Sequence, residues 1–268
     1  IAGATAVAGT DKSQARTTVL RVAIAAEPPS LDAGLATDTT SANLLFNLMD
    51  PLVRLGDPPG LKALPGAASS WSVKGANVTL NLRKNVRWTN GKPVTAGDYV
   101  WSWLRTISPE LGADYAYQFY GIKGAEAYNG CRSNCAALRA KVGIKALGPY
   151  KLRISLVSPQ PWFVQQLSHT SFLPVNKAAV NKYGRKWTEP GNIVTNGPFR
   201  LASWRHDAHQ GIVHGPGQVC AAQDELVVVD RHGIDRPRCH LRLLVAPLAE
   251  NVEEEKRALP KIGRIFAT

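Results

Sequence analysis

The run NVTLNLR, residues 77 to 83, restricts this chain more than any other feature. Val78, Leu80 and Leu82 alternate with Thr79, Asn81 and Arg83. A period of two places the apolar three on one face of a strand, so a core must lie beneath it and water above. A helix would scatter the same three side chains and leave them no common face. Residues 71 to 88 therefore read as a hairpin, with Asn90-Gly91 as a tight turn beyond it. The same alternation returns in YKLRISLVSP, 150 to 159, through Leu152, Ile154 and Leu156.

Helical signals fall between and around these strands. Thr95, with Asp98 three residues on, forms a short capping box, and Tyr99, Val100, Trp103 and Leu104 follow at helical spacing. SANLLFNLMDPLVRL, 41 to 55, puts Leu44, Leu45, Leu48 and Met49 on one helical face, with Pro51 as the stop. NKAAVNKYG is a short helix ended by Gly184. TTVLRVAIA, 17 to 25, and PFRLASW, 198 to 204, read as strands. In KWTEPGNIVTNGPF, 186 to 199, Pro190-Gly191 and Asn196-Gly197-Pro198 are turn signals, and Ile193 and Val194 between them predict a short strand. Strands and helices mix without a repeat, which makes the fold class α/β in the broad sense, mixed α+β.

The 268 residues suffice for one large or two small domains. No apolar stretch is long enough to cross a bilayer. The net charge of +12 is spread without a block of like charges, which suits a basic exported surface or, alternatively, a nucleic-acid-binding module. The start, IAGATAVAGT, reads as the edge of an export signal or as a boundary without meaning. Cys131 and Cys135 in NGCRSNCAAL suit a local disulfide in an oxidising compartment, or stand as free thiols. Phosphate loops, HExxH, CxxC and G-x-S-x-G are missing, so no cofactor and no enzyme activity is expected. Cys220, His232, Cys239 and His240 fit no zinc spacing, and no metal is expected. The seven Trp all precede residue 205. From 208 onward the alternations weaken and four of the six His appear, which marks a boundary of composition.

Three segments carry a resemblance. EPPSLDAGLATDTTSANLLFNLMDPLVRL, VRWTNGKPVTAGDYVWSWLRTISPE and LPVNKAAVNKYGRKWTEPGNIVTNGPFRLASW resemble, in order, the oligopeptide-binding proteins of ABC importers, in the peptide and nickel solute-binding family 5. The likeness spans about residues 18 to 207. It implies a periplasmic-binding-protein fold of type II, cluster C. Residues 18–49 and 171–207 would then form parts of a first lobe, and 50–170 a small inserted domain. Residues 1–17 would be a flexible start or signal remnant, and 208–268 an atypical tail from a shifted reading frame or an unusual genuine domain. A second lobe would be missing.

The resemblance further implies capture of oligopeptides through their main chain, as an added strand, and delivery to an ABC permease, with no nucleic acid involved. The location would be periplasmic or extracellular, at the cell surface if lipid-anchored. With one lobe only, peptide binding is expected to be weak or lost. By position, Ser41 stands where relatives carry an acidic cleft residue. Tyr115, in ADYAYQFYG, matches a cleft-facing aromatic, and His169 matches a family His. Thr39 and Thr40 are neighbours of that site or solvated residues at a helix start. A binding protein for another solute of the same family is the alternative.

Overall fold

A computed structural model describes residues 19–21, 26–56, 58, 60–205, 209–214 and 225–228. Two apolar cores organise them. One runs without interruption from Leu52 to Phe172. The other is assembled from Leu31–Met49 and Leu173–Ile212.

The first core lies under a four-stranded antiparallel sheet of β4 (Ala68–Lys74), β5 (Asn77–Leu82), β6 (Ile144–Gly148) and β7 (Lys151–Ser155), in the order β4-β5-β7-β6. The two alternating runs meet directly: Val78 is opposite Ile154 and Leu80 opposite Leu152. All four are fully buried. The hairpin expected over 71 to 88 occupies Ala68–Leu82 instead. Past Leu82, the Arg83 N–H donates to Ala67 O and its Nε to Gly66 O, so the chain leaves the ladder there.

Helix α2 (Ala96–Thr106) covers this sheet. The Asp98 carboxylate accepts both the N–H and the hydroxyl of Thr95, at 2.7 and 2.8 Å, satisfying a donor at the helix start as the capping box predicts. Trp103 lies at the centre of an aromatic cluster, 6.1 Å from the Tyr99 ring, 5.9 Å from Phe119 and 5.3 Å from Phe172. Its indole N–H donates to Phe172 O, so the polar tip is satisfied while the ring is buried. Short helices α3 (Ala125–Asn129) and α4 (Cys135–Lys141) flank the sheet, joined at their ends by the Cys131–Cys135 disulfide. Helix α5 (Phe163–Gln166) closes the core on the side of a two-stranded ribbon, β2 (Val53–Leu55) with β3 (Ala63–Pro65).

The second core packs under α1 (Thr39–Leu48). The helix stops at Met49, which is already extended, two residues before Pro51. Val180 and Tyr183 of α6 (Lys177–Tyr183), a helix capped by Asn176 and ended at Gly184, pack against the same core. A second sheet has the order β1 (Val19–Arg21), β10 (Glu225–Val228), β9 (His209–His214), β8 (Phe199–Arg205). β1 runs parallel to β10 and the other pairs are antiparallel. Strands β9 and β10 lie past the change of composition at 208, so the sheet continues into that segment. The N-terminal residues 1–17, and Cys220, His232, Cys239 and His240, lie outside the described residues.

The stretch 186 to 199 corrects one expectation. Ile193 and Val194 form no strand. The Ile193 N–H is spent on Glu189 O in a turn, and one residue beyond the pair the contact with Thr89 is a single reciprocal exchange through Thr195. The stretch works as a clasp. Asn196 Oδ1 accepts the Asp50 N–H and its Nδ2 donates to Asp50 O. Gly197 N donates to Leu48 O, and a Cβ added there would sit 2.5 Å from the Leu48 carbonyl carbon. Only glycine permits that approach.

A charge pair, buried on its Asp32 side and partly buried at Arg105, joins the cores. Arg105 of α2 donates to both oxygens of Asp32, at 3.0 and 2.6 Å. Trp187 Nε1 and Gly34 N complete the shell of the carboxylate.

Candidate functional site

The candidate site lies where the N-terminal end of α1 meets the loops that close the first core. Asp38 caps α1, its Oδ1 accepting the Ser41 N–H at 2.8 Å. Thr39 is exposed, whereas Thr40 and Ser41 are buried. The Ser41 hydroxyl accepts from Ser30 N at 3.5 Å, so it faces the chain and not open space. Of these three, Thr39 alone presents a side chain to solvent.

Tyr115 and His169 come together. Tyr115 belongs to a 3₁₀ turn, Asp114–Phe119, and His169 precedes another, Thr170–Phe172. Their ring centroids are 5.5 Å apart, and Tyr117 packs edge-on against Tyr115 at 5.8 Å. The Tyr115 hydroxyl donates to Thr37 O at 3.0 Å, which ties this cluster to the start of α1. His169 Nδ1 accepts the Ser171 N–H at 3.2 Å. That bond places the ring proton on Nε2 in the neutral form. Burial lowers the His169 pKa below its usual value, which favours the neutral ring.

Beside His169 opens a groove of about 500 Å³. Phe46 of α1, Trp162, Gln118 and Gln166 line it with His169. Gln166 Nε2 donates to the Gln118 backbone and side-chain oxygens, which holds that wall in place. Trp162 is 61% exposed and Tyr117 54%. Large aromatics left this open beside a groove make it the candidate binding surface. Trp103 and Trp187, by contrast, are fully buried. The sequence alone did not single out Trp162 among seven Trp. Its signal was the polar sequel: the two prolines and three glutamines of PQPWFVQQ deny it a helical or strand core position. Phe46 was hidden because it lies one step off the apolar stripe of α1.

The arrangement offers stacking faces, amide groups and one neutral imidazole donor. Among the described residues, no cluster of His, Cys, Asp and Glu is assembled as metal ligands would be, and no helix is long and apolar enough to cross a membrane.

Comparison with known proteins decides the family. Residues 62–213 match the family described as bacterial extracellular solute-binding proteins, family 5. This chain belongs to that family. The match runs past the composition boundary into β9. The family is one of binding proteins, not enzymes.

This family-5 chain is 40% identical over 181 residues to the periplasmic oligopeptide-binding protein OppA of Escherichia coli, covering 66% of the chain and 32% of OppA. It is 38% identical to the dipeptide-binding protein DppE of Bacillus subtilis, covering 68% and 33%. Among solved structures, an oligopeptide-binding protein of Borrelia burgdorferi superposes with a TM-score of 0.72 at 32% identity, over 79% of this chain and 43% of that one. The mixed α/β fold is that of the family over the matched part. The chain spans about a third of the length of the curated relatives it matches.

Proposed function

We propose that this chain forms one wall of the ligand cleft of an extracytoplasmic oligopeptide-binding protein that serves an ABC importer. The observation that carries the reading is the exposed aromatic groove beside the Tyr115–His169 pair, tied to α1 through Thr37. It sits in a chain whose relatives are named for binding oligopeptides and dipeptides. Trp162 and Phe46 offer apolar faces that accept many side chains. His169 Nε2 and the glutamine amides offer bonds to a peptide main chain, which every sequence possesses. Thr39 is the exposed neighbour at the helix start, and the buried Thr40 and Ser41 shape the wall from behind. The Cys131–Cys135 bridge supports a location outside the cytoplasm, where disulfides persist. The two cores support a division in which residues 50–170 form a domain inserted between 18–49 and 171–207.

A peptide against one wall gains less than one covered on both sides, because tight sites bury most of the ligand surface. The 268-residue chain is therefore expected to bind a pool of tri- to pentapeptides with Kd nearer 1 mM, about −4 kcal/mol, than 1 μM, about −8 kcal/mol. Calorimetry gives the affinity, and the fluorescence of Trp162 reports the place. A peptide-dependent emission change that persists in Trp162→Phe would locate the ligand elsewhere and defeat this reading.

A further inference from the structure

The strongest unexplained feature is the outer face of the first sheet. Lys74 of β4, Lys145 of β6, and Lys151 and Arg153 of β7 are all exposed. Register places them on one face. Lys145 is opposite Arg153, and Arg153 opposite Thr79, whose other partner is Ser72. Lys74 is opposite Asn77, and Asn77 opposite Ser155. Lys74 and Arg153 line one shallow trough of about 270 Å³ with Ser72, Asn77 and Thr79. The four strands contain no Asp or Glu, and the sequence holds none from 127 to 188. None of the four cations makes an ion pair among the described residues. Among the described residues, four positive charges without an ion-pair partner thus stand on a sheet about 15 Å wide, given strand spacings near 4.8 Å.

We propose that this face docks on an anionic phospholipid bilayer. Charge complementarity requires a negative partner. The breadth of the array fits an extended surface, since cations spread over adjoining strands meet many headgroups at once. The small polar residues between them (Ser72, Asn77, Thr79) leave the headgroups free to approach. Single-stranded nucleic acid fits less well, because it is held on aromatic platforms and this face carries none. Leu147, two residues after Lys145, is 44% exposed at the rim and adds an apolar contact at headgroup depth. The face shares no residue with the proposed peptide groove. Proximity to a membrane follows from the importer reading proposed above, but the charge array does not depend on it.

The test is vesicle sedimentation with the full chain. Vesicles of phosphatidylcholine with a quarter phosphatidylglycerol are compared with phosphatidylcholine alone. Binding is expected to the anionic vesicles only, and to fall as salt rises. Each basic residue near such a surface contributes about fivefold, so Lys74→Gln, Lys145→Gln, Lys151→Gln and Arg153→Gln together should lower the partition coefficient by roughly a hundredfold or more. A control variant, Lys177→Gln, Lys182→Gln, Arg185→Gln and Lys186→Gln, removes the same net charge elsewhere. Equal loss in both variants would show a general charge effect and overturn the proposal. So would equal binding to both vesicle types, or displacement by millimolar inorganic phosphate, which would make the face a small-anion site. Tighter binding to duplex DNA than to vesicles, lost in the sheet variant, would also overturn it. Circular dichroism confirms that both variants fold. Peptide titration is read separately, so failure here leaves the cleft reading standing, and the reverse holds.

Discussion

The two cores differ in how their sequence is spent. The first takes a single run of chain, from Leu52 to Phe172, and its sheet begins with a two-residue hairpin at Gly75-Ala76. The second is drawn from two segments more than a hundred residues apart, and its sheet pairs residues 19–21 with 225–227. A core made of neighbours states its plan locally, in alternation, caps and turns. A core made of distant segments states only fragments, and the partners must be found in three dimensions. The Asp32–Arg105 pair is where the two plans meet.

Breaking that meeting point should have the largest effect. Asp32→Ala leaves the mostly buried Arg105 guanidinium without its carboxylate and removes the acceptor of Trp187. Loss of one partner of a buried pair costs about 3–5 kcal/mol. Denaturant unfolding is expected to show that loss. It should also separate two transitions, since the cores lose their charged link. A single transition of unchanged midpoint would mean that contacts such as the Ser102 hydroxyl with the Val175 backbone suffice to join them.

A smaller effect is expected inside the first core. Replacing Cys131 and Cys135 by Ser together removes a closure of separation 4. Loop-entropy reasoning assigns about 2 kcal/mol to so short a loop. In the Asp32→Ala background, where the cores unfold separately, the loss should appear in the transition of the first core and not of the second, as measured by unfolding with and without reductant. Oxidised protein exported through an oxidising compartment should yield no titratable thiol from this pair.

The smallest expected effect concerns pH at the seam. Burial lowers the His169 pKa in the folded chain, so the unfolded chain binds the proton first as pH falls. Stability from this group is complete above about pH 6.5, the unfolded value. It declines as pH drops below that value toward the lower folded pKa. His169→Asn should flatten this part of the stability curve while leaving the Asp32→Ala loss intact. A His169 proton titrating above 6.5 by NMR would reverse the sign.

These expectations follow how the sequence could be read. Strands at Asn77–Leu82 and Lys151–Ser155 were legible because burial on one face enforces period two. The start of α2 was legible because Thr95 and Asp98 satisfy each other within four residues. The end of the hairpin was not, because Arg83 leaves the ladder through bonds to Gly66 and Ala67, which no local pattern announces. Ile193 and Val194 carry strand propensity, yet a turn to Glu189 overrides it. Family resemblance, not spacing, pointed to Tyr115 and His169. Trp162 escaped because a Trp is usually core, and only exposure in the folded chain separates it from Trp103 and Trp187.

The clasp at Asn196-Gly197 also sets a schedule. Asn196 binds Asp50 across a separation of 146 residues, and Gly197 seats against the last turn of α1. Synthesis at about 5–20 residues per second puts roughly 7–30 s between the two ends of that contact. During the interval the whole of the first core emerges and has every partner it needs, while α1 waits with its apolar stripe uncovered. The helix at the start of the proposed binding wall is thus made well before the segment that holds it. Whatever shields Leu44, Leu45 and Leu48 in that window governs how much of this protein reaches its folded state.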